Sequence, residues 1–196
     1  MTDGLFAEPD DATPLSPEER RGLLATHIAL RGELNELEQQ NILTAMTWAL
    51  SSLRHDPTQE DFGQRLHRRM FGKVWRWAGE YRDSDKNIGA PYRQVPIDMR
   101  HVYDNVRAWI EYESYAPDEL AVRFHHALVY VHPFPNGNGR WSRFMADLLI
   151  ARLGGKPFTW GKSDLRSAGE VRAAYIAALK AADQHDFAAL LAFARS

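Results

Sequence analysis

Residues 132–140, His-Pro-Phe-Pro-Asn-Gly-Asn-Gly-Arg, bring three kinds of chemistry into one short stretch. His132 titrates near neutral pH and can take a proton from a hydroxyl. Asn136, Gly137, Asn138 and Gly139 offer backbone N–H groups on a chain that can curl closely round an anion. Arg140, with Arg143 three positions on, adds forked positive donors that can lean over one ligand. A base, an anion cradle and fixed positive charge side by side suit the transfer of a group carried on phosphate.

The same residue types have plainer uses. Asparagine and glycine make ordinary turns, and His-Pro is a common helix stop. Spacing alone therefore leaves both an anion site and a simple turn open. A histidine metal centre is disfavoured, because His125 and His126 are neighbours that face different ways on a helix. No carboxylate joins them and His132 at ligand spacing.

Such a loop has to be held by its flanking elements. Pro117-Asp118-Glu119 opens a helix whose Leu120, Phe124, Leu128 and Val131 recur on one face, and it ends at the loop. Another helix begins near Arg140, carries Phe144, Leu148 and Ile150, and stops at Gly154-Gly155. Gly137 to Gly139 then lie at a helix N-terminus, where unpaired N–H groups and the positive dipole end favour an anion.

Upstream, a long helix is predicted from about Glu33 to Leu53, with Leu34, Leu37, Ile42, Ala45, Trp48 and Ala49 at helical spacing. A second apolar stripe runs through Phe62, Leu66, Met70, Val74 and Trp77. Arg65, Arg68, Arg69 and Arg76 on that element read as a solvated face balanced by nearby acids rather than a nucleic-acid footprint. Residues 79–96 lose the helical period and read as an irregular β-hairpin. Asp98 is the expected N-cap of the next helix, lined by Val102, Val106, Trp109 and Ile110. Helical segments over Val171 to Ala182 and Phe187 to Ala194 finish the chain. Residues 1–32 read as an extended arm broken by Pro9, Pro14 and Pro17, with Ser16 capping a short helix. The expected fold is mainly α, a helical bundle with one short β-hairpin.

At 196 residues and 22.4 kDa the chain supports one sizeable core. Its 24 Lys plus Arg against 26 Asp plus Glu give no net pull toward nucleic acid or an anionic membrane. With no cysteine, disulfides and thiolate metal sites are excluded. The start has acids and prolines where a secretory signal needs a basic start and an apolar run, and no stretch approaches the roughly 20 apolar residues of a membrane span. The expectation is a cytoplasmic protein with neither membrane nor nucleic acid as partner.

The stretch HPFPNGNGRWSR resembles the signature of the Fic family within the Fic/Doc superfamily, written HPFx(D/E)GNGRxxR. The likeness extends to VWRWAGEYR, to FHHALVYVHPF and to YIAALKAADQHDFAALLAF, covering roughly Phe62 to Phe193. The segment LRGELNELEQQNI is similar to the mobile mystery protein B branch.

The resemblance implies a Fic fold over residues 33–196, with a catalytic loop at 132–143, a flap hairpin at 79–96 and an inhibitory helix at 33–53. It implies transfer of AMP from ATP to a Ser, Thr or Tyr hydroxyl of a target protein. His132 would be the base and Phe134 the anchor of the loop. Asn136, Gly137, Asn138 and Gly139 would line the phosphates, with Arg140 on the β-phosphate side and Arg143 near the γ-phosphate. Lys86, Asn87, Ile88 and Gly89 would form the flap that aligns a target segment by strand-like pairing.

Mg²⁺ would sit at Asn136, where the family pattern has an acid; an amide oxygen can ligate a hard cation, though without charge. Glu38 is the expected inhibitory glutamate, pairing with Arg143, with Glu33 and Glu36 as alternatives; an antitoxin-like protein is the other candidate source of restraint. The alternative function is a nucleotide-binding toxin–antitoxin module with phosphotransferase or weak activity.

Overall fold

The computed structural model describes residues 16–27, 30–52, 55–162 and 169–196. The order is α1 (Pro17–Arg20), α2 (Arg31–Leu50), α3 (Glu60–Phe71), α4 (Val95–Glu111), α5 (Pro117–Val131), α6 (Asn138–Arg152), α7 (Gly169–Asp183) and α8 (Ala188–Arg195), with a 3₁₀ turn at Trp160–Lys162 before α7.

The mainly helical expectation holds, with corrections at several boundaries. The long helix ends at Leu50, and its expected end at Leu53 lies outside the described residues, as do Pro9 and Pro14 of the arm. Gly72 closes α3 one turn before Val74 and Trp77, so the apolar stripe continues in space through turns rather than along a helix. Val74 is nonetheless fully buried. Asp98 is not the N-cap of α4. The helix starts at Val95 with Pro96 in its first turn, which places Asp98 inside that turn, where its charge complements the helix dipole.

The β-hairpin expected over residues 79–96 is absent, and the segment is a run of turns and bends. Asp85 Oδ1 accepts from Tyr92 N–H at 2.8 Å and closes the loop in place of a strand ladder. The β-type pairing among the described residues is an isolated antiparallel bridge between Leu23 and Trp75. That bridge corrects the picture of an extended arm. From Ser16 onward the arm is docked, with Leu24 N–H donating to Val74 O and Arg76 N–H to Gly22 O, each at 2.8 Å.

The core forms where α5 packs on α4 and α6, α2 on α3, and α7 on α8. Phe62, Tyr103, Phe124, Phe134 and Trp141 are all essentially buried. Side chains of this kind each contribute about 1.5–3 kcal/mol when taken out of water. Among the described residues no helix is long and apolar enough to cross a membrane.

One close contact joins α3 to α6. Trp141 Nε1 donates to Gly63 O at 2.9 Å. A Cβ at residue 63 would lie 2.1 Å from Tyr103 Oη, a buried hydroxyl without a hydrogen-bond partner. Tyr103→Phe is therefore expected to keep or raise stability, since a buried unsatisfied polar atom costs about 1–3 kcal/mol. Gly63→Ala should lower it by about 1–3 kcal/mol through overpacking, and the loss should largely vanish in the Tyr103→Phe background. Additive effects in denaturant unfolding would show that the hydroxyl is not the obstacle.

Candidate active site

The loop between α5 and α6 is closed by its own side chains. Asn138 Oδ1 accepts from Phe134 N–H at 2.9 Å, and Asn138 Nδ2 donates to Phe134 O at 2.8 Å. This reciprocal pair turns the Asn138 side chain inward, where it shapes the loop whose main chain is expected to line the phosphates. Phe134 is the anchor expected of it: fully buried, stacked on His67 with ring centroids 3.7 Å apart, and edge-on to Trp141.

His67 carries the loop from beneath. Its Nδ1 accepts from Gly79 N–H at 2.9 Å, and the other ring nitrogen, Nε2, lies 3.0 Å from Asn136 O. With Nδ1 accepting, the proton sits on Nε2, which donates to Asn136 O. The ring is neutral, and burial pushes its pKa down to about 3, with the Arg140 charge adding to the shift. The sequence reading passed over His67. Its signal was a place at helical spacing between Gly63 and Phe71, both buried on the same element.

His132 occupies the C-cap of α5 in the left-handed region, with φ 54° and ψ 61°. That conformation costs a non-glycine residue energy, and it turns the chain sharply out of the helix. Burial pushes the imidazole pKa down to about 4, with the Arg82 and Lys86 charges contributing further. At neutral pH it is therefore in its proton-accepting form.

Arg82, also overlooked in the sequence, fixes that corner. Its side chain is fully buried. Nε donates to His132 O at 2.7 Å, Nη1 to Ser84 O at 2.9 Å, and Nη2 to Ala90 O and to Val131 O. Main-chain bonds run alongside, from Arg82 N–H to Pro133 O and from Ala90 N–H to Val131 O. One guanidinium thus ties residues 82–90 to the base-bearing corner.

The expected flap residues divide. Asn87, Ile88 and Gly89 are exposed. Gly89 has φ +94°, and a Cβ there would lie 2.5 Å from His132 Cβ, so only glycine lets the segment pass this close. Lys86 does not face outward. Its side chain is 4% exposed and ion-paired with Glu19.

On the other side of the loop, Gly137 caps α6 with φ +81°, and a Cβ would meet the Phe71 ring at 2.6 Å. Gly139 follows as the second residue of α6. Arg140 lies over the Phe71 ring and donates to Glu38 Oε2 at 2.6 Å, while Trp75 Nε1 donates to Glu38 Oε1 at 2.7 Å. The expected partner of Glu38 was Arg143. That arginine instead turns toward Tyr175, with its guanidinium carbon 5.6 Å from the ring centre. Glu33 and Glu36, the other candidates, belong to the same helix but lack the burial of Glu38, which is 6% exposed.

Asn136, the expected metal residue, has its Oδ1 accepting from Gly137 N–H at 2.6 Å and its main-chain oxygen 3.0 Å from His67 Nε2, which leaves each oxygen a second lone pair. Among the described residues no group of three or more His, Asp or Glu gathers as a metal site.

The buried histidines determine how the fold responds to acid. His67 and His125 are held near 3 and His132 near 4, each mainly by burial. Unfolded histidines take up protons near 6.5, so between pH 6.5 and 4 the unfolded chain binds more protons and stability falls as pH falls. Each group contributes a slope of about 1.4 kcal/mol per pH unit in that window. Asp147, raised to about 6 by burial, has the opposite sign and offsets part of the slope between its ordinary 3.8 and 6. Unfolding free energies measured from pH 4 to 7 should show this fall, and His125→Gln should reduce the slope by about one proton. An unchanged slope would mean that His125 protonates in the folded state.

Comparison with known proteins finds the same likeness. Residues 57–150 match the model of the Fic/DOC family. Protein adenylyltransferase Fic of Drosophila melanogaster is 28% identical over 183 residues, covering 88% of this chain and 35% of the relative. The Aedes aegypti protein of the same name is 26% identical over 157 residues, covering 75% of this chain and 31% of the relative. The chain thus spans about a third of the length of these curated relatives.

Among solved structures, Caenorhabditis elegans Fic-1 superposes with a TM-score of 0.66 at 26% identity, covering 92% of this chain and 54% of that one. BepC of Bartonella tribocorum, solved with bound AMPPNP, superposes with a TM-score of 0.67 at 16% identity, covering 92% and 97%. In sequence over residues 57–150 and in fold over most of its length, the chain is thus similar to Fic proteins.

Proposed function

We propose that this chain transfers AMP from ATP to a Ser, Thr or Tyr hydroxyl of a target protein. The observation that carries the reading is the α5–α6 corner, which sets a neutral His132 beside the N-terminus of α6 with Arg140 and Arg143 on its first turns. His132 takes the hydroxyl proton as the oxygen attacks the α-phosphorus. The bond to the bridging oxygen of the β-phosphate breaks, and pyrophosphate leaves. The N-terminus of α6 and the two arginines offset the charge on the phosphates. Gly89 borders His132 and follows exposed Asn87 and Ile88; in this reading the three line up the target segment. Mg²⁺ would arrive mainly with the nucleotide's own phosphates, because Asn136 offers a neutral oxygen where a carboxylate would add charge.

The test uses ATP labelled at the α- or the γ-phosphate, with the chain itself and a cell extract as acceptors. Label should transfer from the α-phosphate only, and His132→Ala should reduce the rate by about 10² to 10⁴, the usual contribution of a general base. Transfer of γ-label would establish phosphotransfer instead, and undiminished activity in His132→Ala would remove the histidine from the mechanism.

The Glu38–Arg140 pair suggests that the resting chain is restrained. A carboxylate on the Arg140 fork occupies donors that a β-phosphate would need, so nucleotide and Glu38 compete for one guanidinium. Glu38→Ala should therefore tighten ATP binding several-fold by calorimetry and raise α-label transfer. Adding Arg140→Ala should abolish both gains. Unchanged affinity and transfer in Glu38→Ala would assign the pair to stability alone and leave restraint to a separate antitoxin-like protein.

A further inference from the structure

Helix α1 is a single turn, too short to hold its shape in water without support. Its support is a set of contacts that converge on Glu19. Ser16 Oγ accepts from Glu19 N–H at 3.2 Å, and Ser16 N–H donates to Glu19 Oε2 at 2.7 Å, a capping box. Trp77 Nε1 donates to Glu19 O at 3.0 Å. At Gly22 a Cβ would lie 2.7 Å from Trp77 Cδ1, so α1 and the tryptophan meet in close contact. The Leu23–Trp75 bridge continues the attachment.

With its backbone fixed in this way, Glu19 presents both carboxylate oxygens to the segment bordering the base. Lys86 Nζ pairs with Oε2, and Ser84 Oγ donates to Oε1 at 3.3 Å. The Lys86 and Glu19 side chains are 4% and 7% exposed. Lys86 directly precedes the exposed Asn87-Ile88-Gly89, and Gly89 abuts His132. The ammonium is also close enough to help hold the imidazole neutral.

We propose that Glu19 is a positioning residue for residues 84–90: through Lys86 and Ser84 it fastens the target-facing segment at a fixed distance from His132. A buried carboxylate–ammonium pair adds little net stability, and this one joins two pieces of chain far apart in sequence, which suits a role in setting their register. Arg82 fixes the base-side edge of the segment and Glu19 fixes the opposite edge. The use of the segment in target alignment rests on the AMP-transfer reading above, whereas its fastening does not.

The test is amide hydrogen exchange on the full chain without nucleotide, together with the rate of acylation of Lys86 by an amine-reactive ester. In Glu19→Gln, which keeps size and shape, exchange over residues 84–90 should rise at least tenfold. Lys86 should then react like exposed Lys156, while α5 and α6 stay protected. Lys86→Met should loosen the same segment, and the double variant should loosen it no further than either single change. Lys86→Arg, which retains the cation, should preserve protection. Unchanged exchange at 84–90, equal loosening throughout the core, or additive effects of the two single variants would each overturn the proposal. If the wild type transfers no α-label but Glu19→Gln still frees the segment, the fastening stands and the AMP-transfer reading falls. If label is transferred and exchange is unchanged, the reverse holds.

Discussion

A guanidinium cannot be buried without acceptors for its N–H groups, and the carbonyls that satisfy Arg82 belong to both sides of the site. His132, Val131, Ser84 and Ala90 all supply one. Satisfying this one side chain therefore dictates the relation between the end of α5 and residues 82–90. Losing the arginine would take a donor from the carbonyls of His132, Ser84 and Ala90 and remove a support of the left-handed turn at His132. His132 is held by the main chain around it, and Arg82 organises that main chain.

His67 plays the same part on the other side of the loop. It links the turn at Gly79 to the carbonyl of Asn136, and its ring forms the floor on which Phe134 stacks. With Asn138 closing the loop from within, little freedom is left between His132 and the first turn of α6. Such rigidity suits a site that stabilises developing charge, because dipoles set in advance need not reorganise when the reaction occurs. The Glu38–Arg140 pair is the contrasting element. It joins α2 to α6 through a single carboxylate on one guanidinium.

Helices were legible in the sequence because each buries one face, so its apolar residues recur at helical spacing; α5 and α6 are the clear cases. The loop between α5 and α6 was legible because its glycines and asparagines each meet a separate local demand. The loop at 79–96 was not, since its main-chain groups are satisfied by the Arg82 and Asp85 side chains, which leave no alternating pattern. The Val74 and Trp77 stripe misled for a related reason: burial continued past Gly72 while the helix did not. The partner of Glu38 was misassigned because it depends on how α2 crosses α6, and local spacing carries no record of that crossing. Lys86 reads as a surface lysine until Glu19, far away in the chain, is brought beside it.

The bridge between Leu23 and Trp75 has a kinetic consequence. Residues 16–24 leave the ribosome well before residues 74–86, yet they have little structure to keep without them. Their docking closes a loop of about fifty residues, whose entropic cost is on the order of a few kcal/mol by the logarithmic loop-closure rule. That closure is repaid only after α3 and the turns beyond it have formed. The N-terminal segment is therefore among the last parts to join during folding and among the first to detach in partial unfolding, a small cooperative unit with its own opening equilibrium. A nascent chain would complete the helical scaffold around the catalytic loop before the border of that loop is fastened.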